Sequence, residues 1–253
     1  VDVLEKPTGH DTASWERQLL ATVKLVSRIK VIRHIRARGS GPLRSPAPAP
    51  VPPAAPVAAR PGQYELVVIG ASTGGPAAIE AILKALPPDF PLPILFVLHI
   101  AEPFASSFLG WLSSHTGIPV RPARDGEPLP KPGRPQVVMA PADRHLVVRG
   151  GRLRLTEDRE RHSCRPSVDV LFESVAIEVG EKAIACLLTG MGRDGAKGLL
   201  AIQRAGGMTL AQDQETSVVY GMPGEAAMLG AASQILPLGR IAGAIAALSE
   251  PKP

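Results

Sequence analysis

The sequence predicts an α/β fold: a doubly wound, mostly parallel sheet with helices on both faces and an inserted antiparallel hairpin. Three observations carry that prediction. Short apolar runs alternate with helix-period segments from Tyr64 almost to the end of the chain, and such alternation builds parallel sheets covered on both sides. One stretch, His145 to Leu155, breaks the alternation: two alternating runs flank Gly150-Gly151, which is a hairpin signal. The 253 residues, 45% of them hydrophobic, are enough for one large core or two small ones.

The elements follow in order. Strands are expected over Leu66–Ile69, Ile94–Leu98, Val137–Met139, Ile184–Leu188, Met208–Ala211 and Gln234–Leu236. Helices are expected between them, over Pro76–Ala85, Phe104–Ser114, Val168–Val179, Ala196–Ala205, Gly224–Leu229 and Ile241–Leu248. Upstream, residues 11–38 carry Trp15, Leu19, Val23, Val26, Ile29, Ile32 and Ile35 at helical spacing opposite a basic face. Residues 39–61 are rich in Pro and Ala, a composition that favours an extended, semi-rigid spacer. The expected organisation is therefore 1–38, a linker 39–61, and one large domain, 62–253.

Composition excludes several function classes. No run approaches the ~18 apolar residues of a membrane span, and the first residues lack a signal-peptide pattern. The expectation is a cytoplasmic protein without membrane insertion. The net charge of +5 raises a nucleic-acid partner, but aromatics are only 4%, too few for stacking platforms. No nucleic-acid partner is expected. Cys186 sits in an apolar run and reads as a buried thiol, while Cys164 sits in a polar, Arg-rich stretch. Two such cysteines give neither a disulfide framework nor a metal site by spacing.

Three turns concentrate the chemistry. The first strand ends in Gly70-Ala71-Ser72-Thr73-Gly74-Gly75-Pro76, and a helix follows. A serine there stands at a strand's carboxyl end and a helix's amino end, where free N–H groups can hold an oxyanion. The G-x-S-x-G pattern of a nucleophile elbow is not met literally. Ser72 could instead cap the helix, or the turn could cradle a dinucleotide phosphate. The second strand ends at His99, where a dinucleotide fold would place an acid for the ribose. A histidine beside a serine turn is a candidate general base. The third turn is Thr189-Gly190-Met191-Gly192-Arg193-Asp194-Gly195. Asp194 could cap the next helix, or accept a hydrogen bond from His99 and fix its tautomer. All three candidates fall at strand ends, on the rim where α/β sheets bind their ligands.

These three turns resemble the catalytic blocks of the chemotaxis protein-glutamate methylesterase (CheB) family. Ala140-Pro141-Ala142-Asp143-Arg144-His145, Arg165-Pro166-Ser167-Val168-Asp169-Val170-Leu171-Phe172, Ala211-Gln212-Asp213 and Gly221-Met222-Pro223 resemble family stretches in the same order. The resemblance covers roughly 64–240. It implies a serine hydrolase that removes methyl esters from chemoreceptor glutamates and deamidates receptor glutamines, with Ser72 as nucleophile, His99 as base and Asp194 as its orienting acid. It implies oxyanion donors at Thr73 and Met191, and neither a metal nor an organic cofactor. Leu98 and Ile100 beside the histidine, and the segment 101–105, depart from the family pattern. Val1 to Pro7 resembles the last strand of a response-regulator receiver, so that 1–38 would be a receiver remnant without its phospho-accepting aspartate. Methylated chemoreceptors are the implied partners, with the chemotaxis histidine kinase joining them in the full-length protein. Two other classes stay open at this point: a nucleotide-binding oxidoreductase and a non-catalytic receptor-docking module. Cys164 is a rival nucleophile by residue type, although no glycine-rich turn surrounds it.

Overall fold

The computed structural model describes residues 62–102, 104–133 and 135–250, all within one compact unit, Pro52–Pro253. The helix expected over 11–38, the receiver remnant and the linker lie outside the described residues.

The chain begins its sheet at the centre. Strand β1 (Leu66–Ala71) pairs in parallel with β2 (Ile94–Leu98) on one side and β7 (Ala183–Leu187) on the other. β4 (Val137–Met139) and β3 (Val120–Pro122) extend the sheet beyond β2, and β8 (Met208–Gln212) and β9 (Gln234–Leu236) extend it beyond β7. The order is β3-β4-β2-β1-β7-β8-β9, every pair parallel. β5 (His145–Arg149) and β6 (Arg152–Thr156) form the expected hairpin as a separate two-stranded sheet. Its turn residues Gly150 and Gly151 have φ of 58° and 67°; a two-residue type I′ turn demands such positive values at both positions.

Side-chain alternation along β1 divides the core in two. Val67, Ile69 and Ala71 join one cluster with α1 (Gly75–Ala85), α2 (Phe104–Thr116) and α6 (Leu238–Ser249). Leu66 and Val68 join the other, with α3 (Val168–Glu178), α4 (Ala196–Arg204), α5 (Met222–Met228) and the hairpin. The helices earn their places by spacing: α1 buries Ala78, Ile79, Ile82 and Leu83, a stripe of one helical face.

Two departures from the sequence reading have physical causes. β3 has three residues and ends in Pro122, too short to show alternation; a proline costs little there because an edge strand leaves one row of N–H groups unpaired. α5 starts at Met222 rather than Gly224, with Pro223 in its first turn, where a missing N–H is harmless.

The order in which strands are added reverses at β1, since β2 lies on one flank and β7 on the other. The crevice beyond the carboxyl ends of β1 and β7 is thus the topological switch point, the expected ligand position in an open α/β sheet. The helices α3 and α4 that wall it meet closely at Gly198, where an added Cβ would lie 2.5 Å from Phe172 Cβ and 3.1 Å from the Asp169 carbonyl oxygen. Gly198→Ala therefore overpacks a backbone contact, and a loss of about 1–3 kcal/mol is expected. Urea unfolding measures it; an unchanged midpoint would mean that the two helices can separate freely.

Candidate active site

Ser72 and His99 each stand one step past a paired strand end, and Asp194 lies in the loop after β7. Ala71 and Leu98 are register partners, and the His99 N–H donates to the Ala71 carbonyl at 3.1 Å. Ser72 and His99 are therefore neighbours across β1 and β2. The Ser72 N–H donates to the Thr189 carbonyl at 3.0 Å, which ties the serine turn to the loop after β7.

Neither Ser72 nor Asp194 caps the helix that follows it. The N-cap of α1 is Gly74 and that of α4 is Gly195, both left-handed and both without a side-chain cap bond. Gly74 has φ of 81°, and a Cβ on it would lie 2.7 Å from Val218. The turn therefore requires glycine on two counts. Gly190 meets a similar limit: a Cβ there would lie 2.9 Å from Ser72 Cβ and would collide with Met222. The loop after β7 thus lies directly against the serine.

Asp194 caps a different helix. It is 2% exposed, and its Oδ2 accepts the Val168 N–H at 2.7 Å while Oδ1 accepts the Asp169 N–H at 3.1 Å. Those are first-turn N–H groups of α3, at the positive end of the helix dipole. Oδ1 also accepts the Ser167 hydroxyl at 2.7 Å. The fourth donor is His99 Nε2, 2.9 Å from Oδ2. Burial alone would push the carboxyl up, but the bonds from His99, Ser167, Asp169 and Val168 outweigh it and hold the group below its ordinary value. A carboxylate can only accept, so in its neutral form the His99 ring carries its proton on Nε2 and its lone pair on Nδ1.

Thr189 braces the rim. Its hydroxyl donates to the Thr73 carbonyl at 2.9 Å and accepts the Val219 N–H at 3.0 Å. Its N–H donates to the buried Gln212 side chain at 2.9 Å. Among the described residues nothing accepts from the Thr73 or Met191 N–H groups. Both flank Ser72, one in sequence and one through Gly190, and the Met191 side chain is 76% exposed.

Beside His99, on the side of residues 163–166, lies an open cavity of about 350 Å³. Ile100, Glu102, Asp143, Cys164 and Arg165 are among its walls. Cys164 Sγ stands 3.7 Å from His99 Nδ1. Burial and the charges of Asp194 and Glu160 push its thiol up to about 11, so it is protonated near neutral pH and a poor nucleophile. Cys186 is fully buried and its thiol is pushed up by burial alone.

The sequence reading named Ser72, His99, Asp194, Thr73 and Met191; the structure joins His99 to Asp194, sets Ser72 beside His99 across β1 and β2, and lays the loop that carries Met191 against the serine turn. That reading missed the brace from Thr189 and Gln212, the Ser167 hydroxyl on Asp194, and the approach of Cys164 to His99. No spacing signal connects Cys164 with a residue 65 positions away.

The family profile described as CheB methylesterase matches residues 67–245. A protein-glutamate methylesterase/protein-glutamine glutaminase of Anaeromyxobacter dehalogenans is 45% identical over 250 residues, 98% of this chain and 69% of that protein. A protein of the same activities from Pseudomonas putida is 48% identical over 204 residues, 80% of this chain and 59% of its own length. This chain thus covers only part of the relatives it matches. The crystal structure of the Thermotoga maritima CheB methylesterase catalytic domain superposes with a TM-score of 0.67 at 38% identity, covering 72% of this chain and 97% of that one.

The depressed Asp194 acid makes a stability prediction with a definite sign. Its folded value lies below its unfolded one, so its contribution is complete above an aspartate's ordinary value of about 3.9. That contribution is lost as pH falls through the lower folded value. The stability gap between wild type and Asp194→Asn should therefore narrow below about pH 4. Urea unfolding from pH 6 to 3 tests this; a gap that stays constant across the range would show that the carboxylate is not held ionised by the fold.

Proposed function

The chain belongs to the CheB methylesterase family, and from that premise we propose that it hydrolyses methyl esters of glutamate side chains on chemoreceptors, with Ser72 as nucleophile, His99 as base and Asp194 as the acid that orients it. The observation that carries the residue assignment is the buried His99–Asp194 bond of 2.9 Å at the strand end next to Ser72. Deamidation of receptor glutamines belongs to the same reading, because an amide differs from the ester only in its leaving group.

The steps follow from the tautomer. Ser72 Oγ attacks the side-chain carbonyl carbon and its proton passes to His99 Nδ1. The carbonyl π pair moves onto oxygen, and the Thr73 and Met191 N–H groups stabilise that oxyanion. As the tetrahedral intermediate collapses, the carbon–oxygen bond to methoxide breaks and Nδ1–H protonates it to methanol. Water then gives a proton to Nδ1 and attacks the acyl-serine. The second collapse releases glutamate and returns the proton to Ser72. Asp194 stays ionised throughout and stabilises the imidazolium.

Neither rival class gains support. At the end of β2, where a dinucleotide site needs an acid for the ribose, stands His99, bound to a buried carboxylate. A docking module has no need of a buried carboxylate bonded to a histidine at its rim. In the longer protein, the chemotaxis histidine kinase is the expected second partner, in the cytoplasm. Among the described residues, no helix is long and apolar enough to cross a membrane.

Ser72→Ala should abolish methanol release from methylated receptor membranes. Because Gly74 rather than Ser72 caps α1, stability should shift by no more than about 0.5 kcal/mol. Asp194→Asn should cost on the order of 10⁴-fold in kcat, as in the serine proteases, where the wrong tautomer results. Methanol release near the wild-type rate in Ser72→Ala, or a loss under about tenfold in Asp194→Asn, would overturn these roles.

A further inference from the structure

We infer that Cys164 and His99 form a chelate for a thiophilic divalent cation, Zn²⁺ above all, and that the bound metal shuts off the hydrolase by occupying His99 Nδ1.

The geometry is that of a metal site. Sγ of Cys164 and Nδ1 of His99 are 3.7 Å apart. With Zn–S near 2.3 Å and Zn–N near 2.0–2.1 Å, two ligands of one tetrahedral zinc ion stand about 3.5 Å from each other. The pair therefore already holds nearly the chelating separation. Cys164, His99 and Asp194 also bring three potential donor atoms within 4.8 Å of one another. Asp194 serves best from outside the coordination sphere. It accepts the hydrogen bond from Nε2–H, which favours the neutral tautomer whose free lone pair is on Nδ1. A carboxylate behind a ligating histidine is the usual outer partner of zinc-bound imidazole.

The turn that carries the thiol is held in place. Arg161 and Cys164 exchange both backbone hydrogen bonds, at 3.1 and 2.9 Å. The two residues between them, His162 and Ser163, have φ of 54° and 60°, as a type I′ turn demands. Arg161 is fixed to Glu173 by two guanidinium bonds, and His162 Nε2 bonds the buried Asp169 at 3.0 Å. α3 thus anchors the turn that presents Cys164. The cavity beside the pair is open to solvent, so that water can complete the tetrahedron.

Coordination replaces the S–H bond by a Zn–S bond and releases that proton to solvent. Affinity therefore rises with pH. A metal on Nδ1 blocks the lone pair that must accept the Ser72 proton. The inhibition rests on the proposed role of His99; the metal site does not.

The test uses the full chain and Co²⁺ as a spectroscopic stand-in. Wild type should develop a thiolate-to-cobalt charge-transfer band that Zn²⁺ displaces and a chelator removes. Cys164→Ala and Cys164→Ser should lack the band and retain basal methanol release. Zn²⁺ should lower wild-type turnover on the order of 10²-fold, the contribution of a general base, and leave both variants active. No band, or a band that persists in both variants, overturns the site. Binding without loss of turnover overturns the inhibition. The two readings fail separately: turnover of His99→Ala without metal tests the base, and the band tests the metal without turnover.

Discussion

The carboxylate of Asp194 is the constraint on which the rest of the site depends. A buried charge is tolerated only when its partners are complete, and breaking such a set costs several kcal/mol. Here the partners come from separate parts of the chain. α3 supplies two first-turn N–H groups, its cap Ser167 supplies a hydroxyl, and the end of β2 supplies His99. A shift of α3 against the loop after β7 would orphan the charge. The electrostatic demand of one acid therefore fixes the helix, the loop and the histidine relative to one another.

The serine side is fixed by close packing and neutral hydrogen bonds. Gly74, Gly75 and Gly190 each stand where a Cβ would strike Val218, Leu98 or Met222. The absence of side chains lets the β1 turn and the loop after β7 meet. Thr189 then closes the contact with its hydroxyl, carbonyl and N–H all engaged. Sites of this kind need reacting groups held by locked neighbours, and neither turn can move without breaking backbone bonds to the other. Among the described residues nothing accepts from the Thr73 and Met191 N–H groups, which suits their proposed role as donors to a charge that develops only during reaction.

Much of this was legible in the sequence. The apolar runs and the paired glycines of the hairpin mark the fold because local periodicity and turn chemistry report local structure. Ser72, His99 and Asp194 were legible because each follows a strand, and parallel strands bring their carboxyl ends to one rim. β3 was not legible: three residues ending in Pro122 carry no period. Nor was the helix that Asp194 caps. The sequence offers α4, which starts two residues on, as the obvious recipient, but Gly195 takes that role and the carboxylate turns to α3, whose start lies 26 residues upstream. Contacts set by tertiary packing leave no trace in local spacing, and the approach of Cys164 to His99 is of the same kind.

One consequence follows from the tautomer itself. By accepting the hydrogen bond from Nε2–H, Asp194 leaves the basicity of His99 on Nδ1, which is the property that a general base requires. The same lone pair is what a metal ion seeks, and a carboxylate behind the ring strengthens both kinds of bond. Discrimination between proton and metal then depends on what else surrounds Nδ1. A neighbour without a metal-binding atom would favour the proton alone. A thiol held in a type I′ turn 3.7 Å away adds a second ligand at little cost in ordering, since the turn is already fixed by Arg161 and His162. The residue that occupies position 164 is therefore the point at which the same catalytic rim either ignores thiophilic metals or answers to them.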